Sequence, residues 1–207
     1  MGNDMWLLCL LFAYGIGSIS TSTIVSRVVA RIDIREHGSG NAGATNTVRV
    51  LGLKWGLVVL IADVAKGVIA SLLAMGWAHG TPWVVYAAGI AAIAGHNWPV
   101  FFGFRGGKGI ATAIGVLSTW MLLPALAAGA VAVALLLLTR YVSLASLMFT
   151  ILTPAFGVWF HAPWGAVAAS AVIALLSIYR HRQNIVRLAK GKEHRIFHRQ
   201  ETRMTGK

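Results

Sequence analysis

Nearly all the side chains in this sequence that could do chemistry fall in three clusters of glycine and hydrogen-bonding residues. The first runs Glu36-His37-Gly38-Ser39-Gly40-Asn41-Ala42-Gly43-Ala44-Thr45-Asn46-Thr47-Val48-Arg49. Three glycines within residues 38 to 43 permit positive φ and let backbone N–H groups turn inward around an anion. Ser39, Asn41, Thr45, Asn46 and Arg49 add side-chain donors, so the segment reads as a phosphate cradle; a flexible polar connection between two helices is the alternative.

The second cluster is Gly95-His96-Asn97-Trp98-Pro99-Val100-Phe101-Phe102-Gly103-Phe104-Arg105-Gly106-Gly107-Lys108-Gly109, followed at once by an apolar run. Gly103, Gly106, Gly107 and Gly109 around Lys108, opening a helix, would aim backbone amides, the positive end of the helix dipole and an ammonium at one anion. It is not a nucleotide-binding P-loop, because Gly109 stands where that motif needs Ser or Thr to hold a metal. The third cluster is His181-Arg182-Gln183-Asn184-Ile185-Val186-Arg187-Leu188-Ala189-Lys190-Gly191-Lys192-Glu193. His181 and Asn184 lie on one helix face, and a bend at Gly191 could return Glu193 toward them. Alone, the segment would be an ordinary basic juxtamembrane tail.

These clusters must be held by elements that live in lipid. Of 207 residues, 57% are apolar and only 12% charged, with a mean hydropathy of +0.71; a soluble domain carries roughly a quarter charged residues. Lys and Arg are absent from 1 to 26, 67 to 104, 109 to 139 and 141 to 179. Each gap can span a hydrocarbon core, which takes ~20 helical residues. The net charge of +12 sits between the apolar runs, where it orients a membrane protein, so nucleic acid is not an expected partner. Cys9 lies inside the first run and, as the single cysteine, forms no intrachain disulfide. Met1 to Met5 lacks a basic stretch, so that run reads as a retained helix and not a signal peptide. Gly2 precedes no myristoylation pattern.

The expected fold is all-α, a single polytopic domain over 1–207 with helices at about 5–29, 55–75, 82–101, 110–123, 125–138, 143–159 and 163–180, and a basic tail at 181–207. The run 110–138 is the ambiguous one, since a straight helix of that length would be ~43 Å long and Pro124 sits in its middle. Two short arms around Pro124 place every basic segment on one side of the membrane, whereas one kinked crossing puts Arg140 and the tail outside. The positive-inside rule therefore favours a seven-transmembrane-helix bundle with an external N-terminus and a cytoplasmic C-terminus. Within the second helix Asp63 and Lys66 lie three apart near mid-membrane, where ionisable groups are functional or paired. Ser143, beside Arg140, either joins the cytoplasmic site or caps its helix.

In this order and on these helix ends, the clusters resemble the three motifs of the PlsY family, the bacterial acyl-phosphate-dependent glycerol-3-phosphate acyltransferases. The resemblance rests on Ser-Gly-Asn-x-Gly-Ala-Thr-Asn at 39–46 with Arg49, on Gly-His-x-x-Pro through Gly-Gly-Lys-Gly at 95–109, and on His-Arg-x-Asn-Ile-x-Arg-Leu with Gly191 and Glu193. Ala42 stands where many members have Pro. The resemblance implies a seven-helix bundle with an external N-terminus in the cytoplasmic (inner) membrane. It also implies transfer of a fatty acyl group from acyl phosphate, not from acyl-CoA or acyl carrier protein, to the 1-hydroxyl of glycerol 3-phosphate, giving 1-acylglycerol 3-phosphate (lysophosphatidic acid). Neither cofactor nor metal is expected, and functional coupling to the enzyme that makes acyl phosphate is.

Acyl phosphate already has a good leaving group, so orientation and charge stabilisation matter more than a strong nucleophile. The expected catalytic residues are Ser39, Arg49 and Lys108, on phosphate and leaving group, with His181 and Asn184 on the hydroxyl. Whether His181 or a substrate phosphate is the base stays open. The expected substrate-binding set is Gly38, Gly40, Asn41, Gly43, Thr45, Asn46, His96, Gly103, Gly106, Gly107, Gly109, Ser143 and Glu193. No histidine is followed five positions later by Asp, the pairing of the soluble-type acyltransferases. A transporter or channel for an organic phosphate, with Asp63 and Lys66 on its path, is the alternative, although transporters place their site near the midplane. A membrane scaffold would explain the Gly52/Gly56 spacing but not a Gly-Gly-Lys-Gly opening a helix.

Overall fold

The computed structural model describes residues 3–78 and 81–196. The end of the basic tail, 197–207, and residues 79–80 of the turn expected at 76–82 lie outside the described residues. The chain forms ten α-helices among the described residues: α1 (Asn3–Gly17), α2 (Thr21–Ala30), α3 (Ala44–Leu51), α4 (Leu53–Trp77), α5 (Pro82–Asn97), α6 (Ile110–Trp120), α7 (Leu122–Thr139), α8 (Val142–Trp159), α9 (Trp164–Arg180) and α10 (Arg182–Ala189). Five stretches are long and apolar enough to cross a bilayer: Met5–Ala30 (α1 with α2), Leu53–Trp77, Pro82–Phe102, Leu122–Thr139 and Val142–Trp159. A sixth is the pair α9 and α10, bent by 65°, and α6 is a shorter apolar helix.

Lipid, not water, explains the surface. Leu137 is 74% exposed, Leu138 80% and Trp159 78%, a loss no aqueous protein tolerates over whole helices but costless against acyl chains. The packed interior is instead lined by small residues, as expected where van der Waals contact drives helix association. A Cβ on Gly67 of α4 would strike the Thr112 carbonyl of α6, and one on Gly115 of α6 would strike the Val64 carbonyl of α4. Gly17 abuts Ala92 in the same way, drawing α1 against α5. Around these contacts one core gathers Val116, Leu117, Ala128, Phe149 and Ile173, and a second Ala13, Ala74, Val84 and Ala88.

Three boundaries differ from the sequence expectation. The first span is broken at Ser18–Ser20 into α1 and α2. The run 110–138 does divide in two, but at Met121 (φ −148°, ψ 76°) and not at Pro124, giving arms of 11 and 18 residues. Pro124 falls in the first turn of α7, where its missing N–H would have had no intrahelical partner anyway. Within the first cluster, Ala44–Leu51 is helical, so the loop ends where α3 begins.

Connections 31–43, 98–109, 140–141 and 181–196 gather at one end of the bundle. Arg35 donates to the Phe102 carbonyl (2.6 Å), Arg180 to that of Gly107, and Ile196 N–H to that of Arg140. The opposite end is aromatic, with Trp6 on Trp83 and Tyr86 on Trp120.

Candidate active site

The first cluster is organised by Asn46, which is 1% exposed. Its amide NH2 donates to the carbonyls of Ile34 (3.1 Å) and His37 (2.9 Å), and its Oδ1 accepts the Ser39 N–H (2.8 Å). All of its polar capacity therefore goes into closing the loop. Gly38 (φ 62°) packs against that same amide. Gly40 (φ 71°) donates its N–H to His37 O, and Gly43 to Asn41 O. Ser39 is left exposed and Asn41 and Thr45 half-buried, beside the N-terminus of α3, which no side chain caps. Asp33 anchors the base of the loop, holding Arg35 (2.6 Å) and Arg27 (3.0 Å).

In the second cluster the chain doubles back over the end of α5. A Cβ on Gly106 would strike the His96 carbonyl, and one on Gly107 would strike the His96 ring and the Ala42 carbonyl. Only glycine fits at either place, and the first and second clusters are brought into contact there. The Gly107 N–H is spent on His96 O (3.1 Å). Gly109 (φ 79°) is the N-cap of α6 and, lacking a side chain, leaves the first amides of that helix open. Gly103 (φ 65°) stands apart at the 3₁₀ turn Val100–Phe102, with open space where a Cβ would be.

Lys108 leaves this turn toward the third cluster. Its Nζ donates to Asn184 Oδ1 (2.5 Å), the Asn184 amide donates to Glu193 Oε1 (2.7 Å), and Ser143 Oγ donates to the same oxygen (3.0 Å). Arg187 Nε closes on Glu193 Oε2 (2.8 Å). Gly191 (φ 65°) makes the return turn. Burial alone would raise the Glu193 carboxyl, but the hydrogen bonds from Asn184, Arg187 and Ser143 outweigh it and hold the group below its ordinary value. Burial pushes the Lys108 ammonium down to about 8, with Arg187, Arg49 and Arg180 adding to that effect against Glu193. Arg49 projects, exposed, from the last turn of α3.

His181 ends α9 and starts α10, 2% exposed. Its Nδ1 lies 2.9 Å from the Ser177 carbonyl; a carbonyl only accepts, so Nδ1 carries the proton and the Nε2 lone pair is bare. The arrangement thus joins an ammonium, uncapped amides and a bare imidazole nitrogen, the parts needed to hold an anion beside a hydroxyl.

His96 packs its Nε2 edge against Gly107 and turns its Nδ1 edge the other way. Its Nδ1 meets Lys66 Nζ (2.9 Å), which also binds Asp63 Oδ1 (2.9 Å) and donates to the Ile19 carbonyl (3.1 Å). Thr21 Oγ1 donates to Asp63 (3.1 Å). Ile19 lies in the break between α1 and α2, so the buried pair satisfies a carbonyl that the break frees and ties three spans together. Among the described residues no three His, Cys, Asp or Glu gather as a metal would require.

Sequence reasoning gave no role to Arg180 or Arg187. Arg187 pins Glu193; Arg180 Nη2 binds the Gly107 carbonyl (2.6 Å) and reaches that of Gly106 (3.4 Å), with its guanidinium 5.2 Å from the Trp98 ring centroid. The available signal was an arginine ending a helix immediately before His181.

A family model described as glycerol-3-phosphate acyltransferase matches residues 7–191. Glycerol-3-phosphate acyltransferase of Shouchella clausii is 51% identical over 191 residues, covering 90% of this chain and 93% of the relative. That of Halalkalibacterium halodurans is 47% identical, covering 95% and 98%. The crystal structure of PlsY (YgiH), an integral membrane glycerol 3-phosphate acyltransferase, in its glycerol 3-phosphate form, superposes with a TM-score of 0.86 at 42% identity over 92% of this chain and 94% of that one. Its lysophosphatidic acid form gives 0.83 at 41%. With matches of this extent in both sequence and fold, the chain belongs to the glycerol-3-phosphate acyltransferase (PlsY) family.

Proposed function

We propose that this multi-pass membrane protein transfers a fatty acyl group from acyl phosphate to the 1-hydroxyl of glycerol 3-phosphate, releasing 1-acylglycerol 3-phosphate and inorganic phosphate. The observation that carries the reading is the meeting of three sequence-distant clusters at the Gly107–Lys108 turn: Gly107 packs against the Ala42 carbonyl of the first, and Lys108 meets Asn184 of the third and, through it, Glu193 and Ser143. Lys108, Arg49 and the open amides at the start of α6 hold phosphate. Ser39, Asn41 and Thr45 at the start of α3 supply further donors, and Asn46 and the glycines of both loops give those donors their direction. The hydroxyl oxygen attacks the acyl carbonyl carbon, and the bond from that carbon to the phosphate oxygen breaks. The hydroxyl proton passes to His181 Nε2 or to a phosphate oxygen of a substrate. Asn184 orients the hydroxyl, and Glu193 keeps Asn184 and the tail in place. The cations neutralise charge growing on the departing phosphate, so no covalent intermediate is needed.

Seven crossings, with the N-terminus outside and the basic loops in the cytoplasm, fit the gathering of every basic connection at one end. The bacterial inner membrane is the compartment this implies, and the acyl phosphate-making enzyme is the natural functional neighbour. Incubating the purified chain with palmitoyl phosphate and labelled glycerol 3-phosphate should yield labelled 1-acylglycerol 3-phosphate, with none from palmitoyl-CoA. Product from palmitoyl-CoA alone would contradict the donor assignment.

A further inference from the structure

We infer that Arg180 is a positioning residue that sets the direction of the amide entering Lys108, and so aligns the phosphate-holding turn with His181. This rests on the function proposed above and deepens it at the same site.

The peptide plane is trans, so the C=O of one residue and the N–H of the next point in opposite directions. Around Gly106–Lys108 the two consecutive planes are held differently. The Gly106–Gly107 plane is fixed from both sides, its N–H bound to His96 O and its C=O within reach of Arg180. The Gly107–Lys108 plane is held at its carbonyl by Arg180 at 2.6 Å, which turns the Lys108 N–H away from Arg180 and out of the turn. Glycine offers no Cβ to restrain φ and ψ, so without an external clamp the plane is free to flip and point a carbonyl at the anion. Arginine is suited to clamping here, because its flat guanidinium stacks on an aromatic face, that of Trp98, and so fixes the place from which Nη2 reaches both carbonyls. Lysine has no flat group to stack.

Arg180 is also the residue immediately before His181 on the same helix. The clamp therefore fixes the distance between the anion-holding amide and the bare Nε2, a coupling that neither cluster provides alone. Its hydrogen bonds go to the Gly106 and Gly107 carbonyls and its guanidinium lies over Trp98, so it acts through the turn.

The test uses the full-length protein in detergent or nanodiscs. Arg180→Ala should lower kcat/KM for glycerol 3-phosphate by about 100-fold, the scale of a displacement of about 1 Å at a reacting centre, and weaken binding of inorganic phosphate, measured without turnover. Guanidinium chloride at low millimolar concentration should restore a measurable part of the lost activity and binding, because it can stack on Trp98 and donate to the Gly106 and Gly107 carbonyls. Methylammonium should not, and Arg180→Lys should recover little. Arg180→Ala within threefold of wild type, or losses that guanidinium and methylammonium repair equally or not at all in a variant with unchanged melting temperature, would overturn the inference. The phosphate-binding arm keeps it separate from the functional reading: a wild-type chain that binds phosphate in an Arg180-dependent way yet forms no acyl ester would refute the reaction and leave the clamp standing.

Discussion

At the scale of single residues, the site depends on where charge is left unspent. The Lys108 ammonium has its ordinary pKa lowered to about 8 by burial and by neighbouring cations. The sign follows directly: the charge is present below pH 8 and is lost as pH rises through it, so kcat/KM should fall along an alkaline limb centred near 8. Lys108→Arg, which stays protonated, should remove that limb even if it is slower overall; a pH–rate profile measures both. Lys108→Ala should cost about 10²–10³ in turnover, the scale of one lost charge-stabilising donor. His181→Ala should also depress turnover, and wild-type rates in that variant would pass the proton to a substrate phosphate. The meeting of Asn184 with Glu193 was legible because the Gly191 bend sits between them in the sequence. Asn46 was legible only as a donor: that it bonds Ile34, His37 and Ser39 depends on a loop closure that no spacing rule encodes. Arg180 was hidden among other cations of the tail, since nothing in the sequence separates an arginine facing a carbonyl from one facing water.

At the scale of elements, the glycines are contact points before they are hinges. Gly107→Ala would press a methyl group into the His96 ring and the Ala42 backbone, so it should lose activity and about 1–3 kcal/mol of stability, the usual cost of overpacking, read as a drop in melting temperature. The helices themselves followed from long apolar runs divided at Gly- and Pro-containing breaks near 76–82 and 160–163, which is why α4, α5, α8 and α9 lie within a few residues of expectation. The failures were local. The division of 110–138 was placed at Pro124, but proline is at ease in a first turn, and the break at Met121 leaves no compositional mark. Helix α3 was read as loop because glycine and asparagine dominate its approach.

At the scale of the whole molecule, one buried charge group braces the bundle. Asp63, 1% exposed, and Lys66, 5% exposed, link α4 to the α1–α2 break and to His96. Asp63→Asn should destabilise strongly, by about 3–5 kcal/mol, because it leaves an unpaired ammonium in a low-dielectric interior. The double variant Asp63→Asn, Lys66→Met should recover much of that loss, whereas a role on a transport path would leave it functionally dead at restored stability. Thermal unfolding in detergent together with the acyl-transfer assay separates these outcomes. Orientation is equally testable: a cysteine placed at Arg105 should react only with reagent on the cytoplasmic side, and one at His161 only with reagent outside.

The central claim is that one cationic, amide-lined end of the bundle brings a phosphate and a hydroxyl together. A structure of the chain with glycerol 3-phosphate and a non-reactive acyl phosphate analogue tests this most directly. Phosphate oxygens should then lie in hydrogen-bond reach of Lys108 Nζ and the open amides of α6, with the glycerol 1-hydroxyl facing His181 Nε2. Phosphate bound elsewhere, with Lys108 still closed on Asn184 and the α6 amides bare, would contradict it.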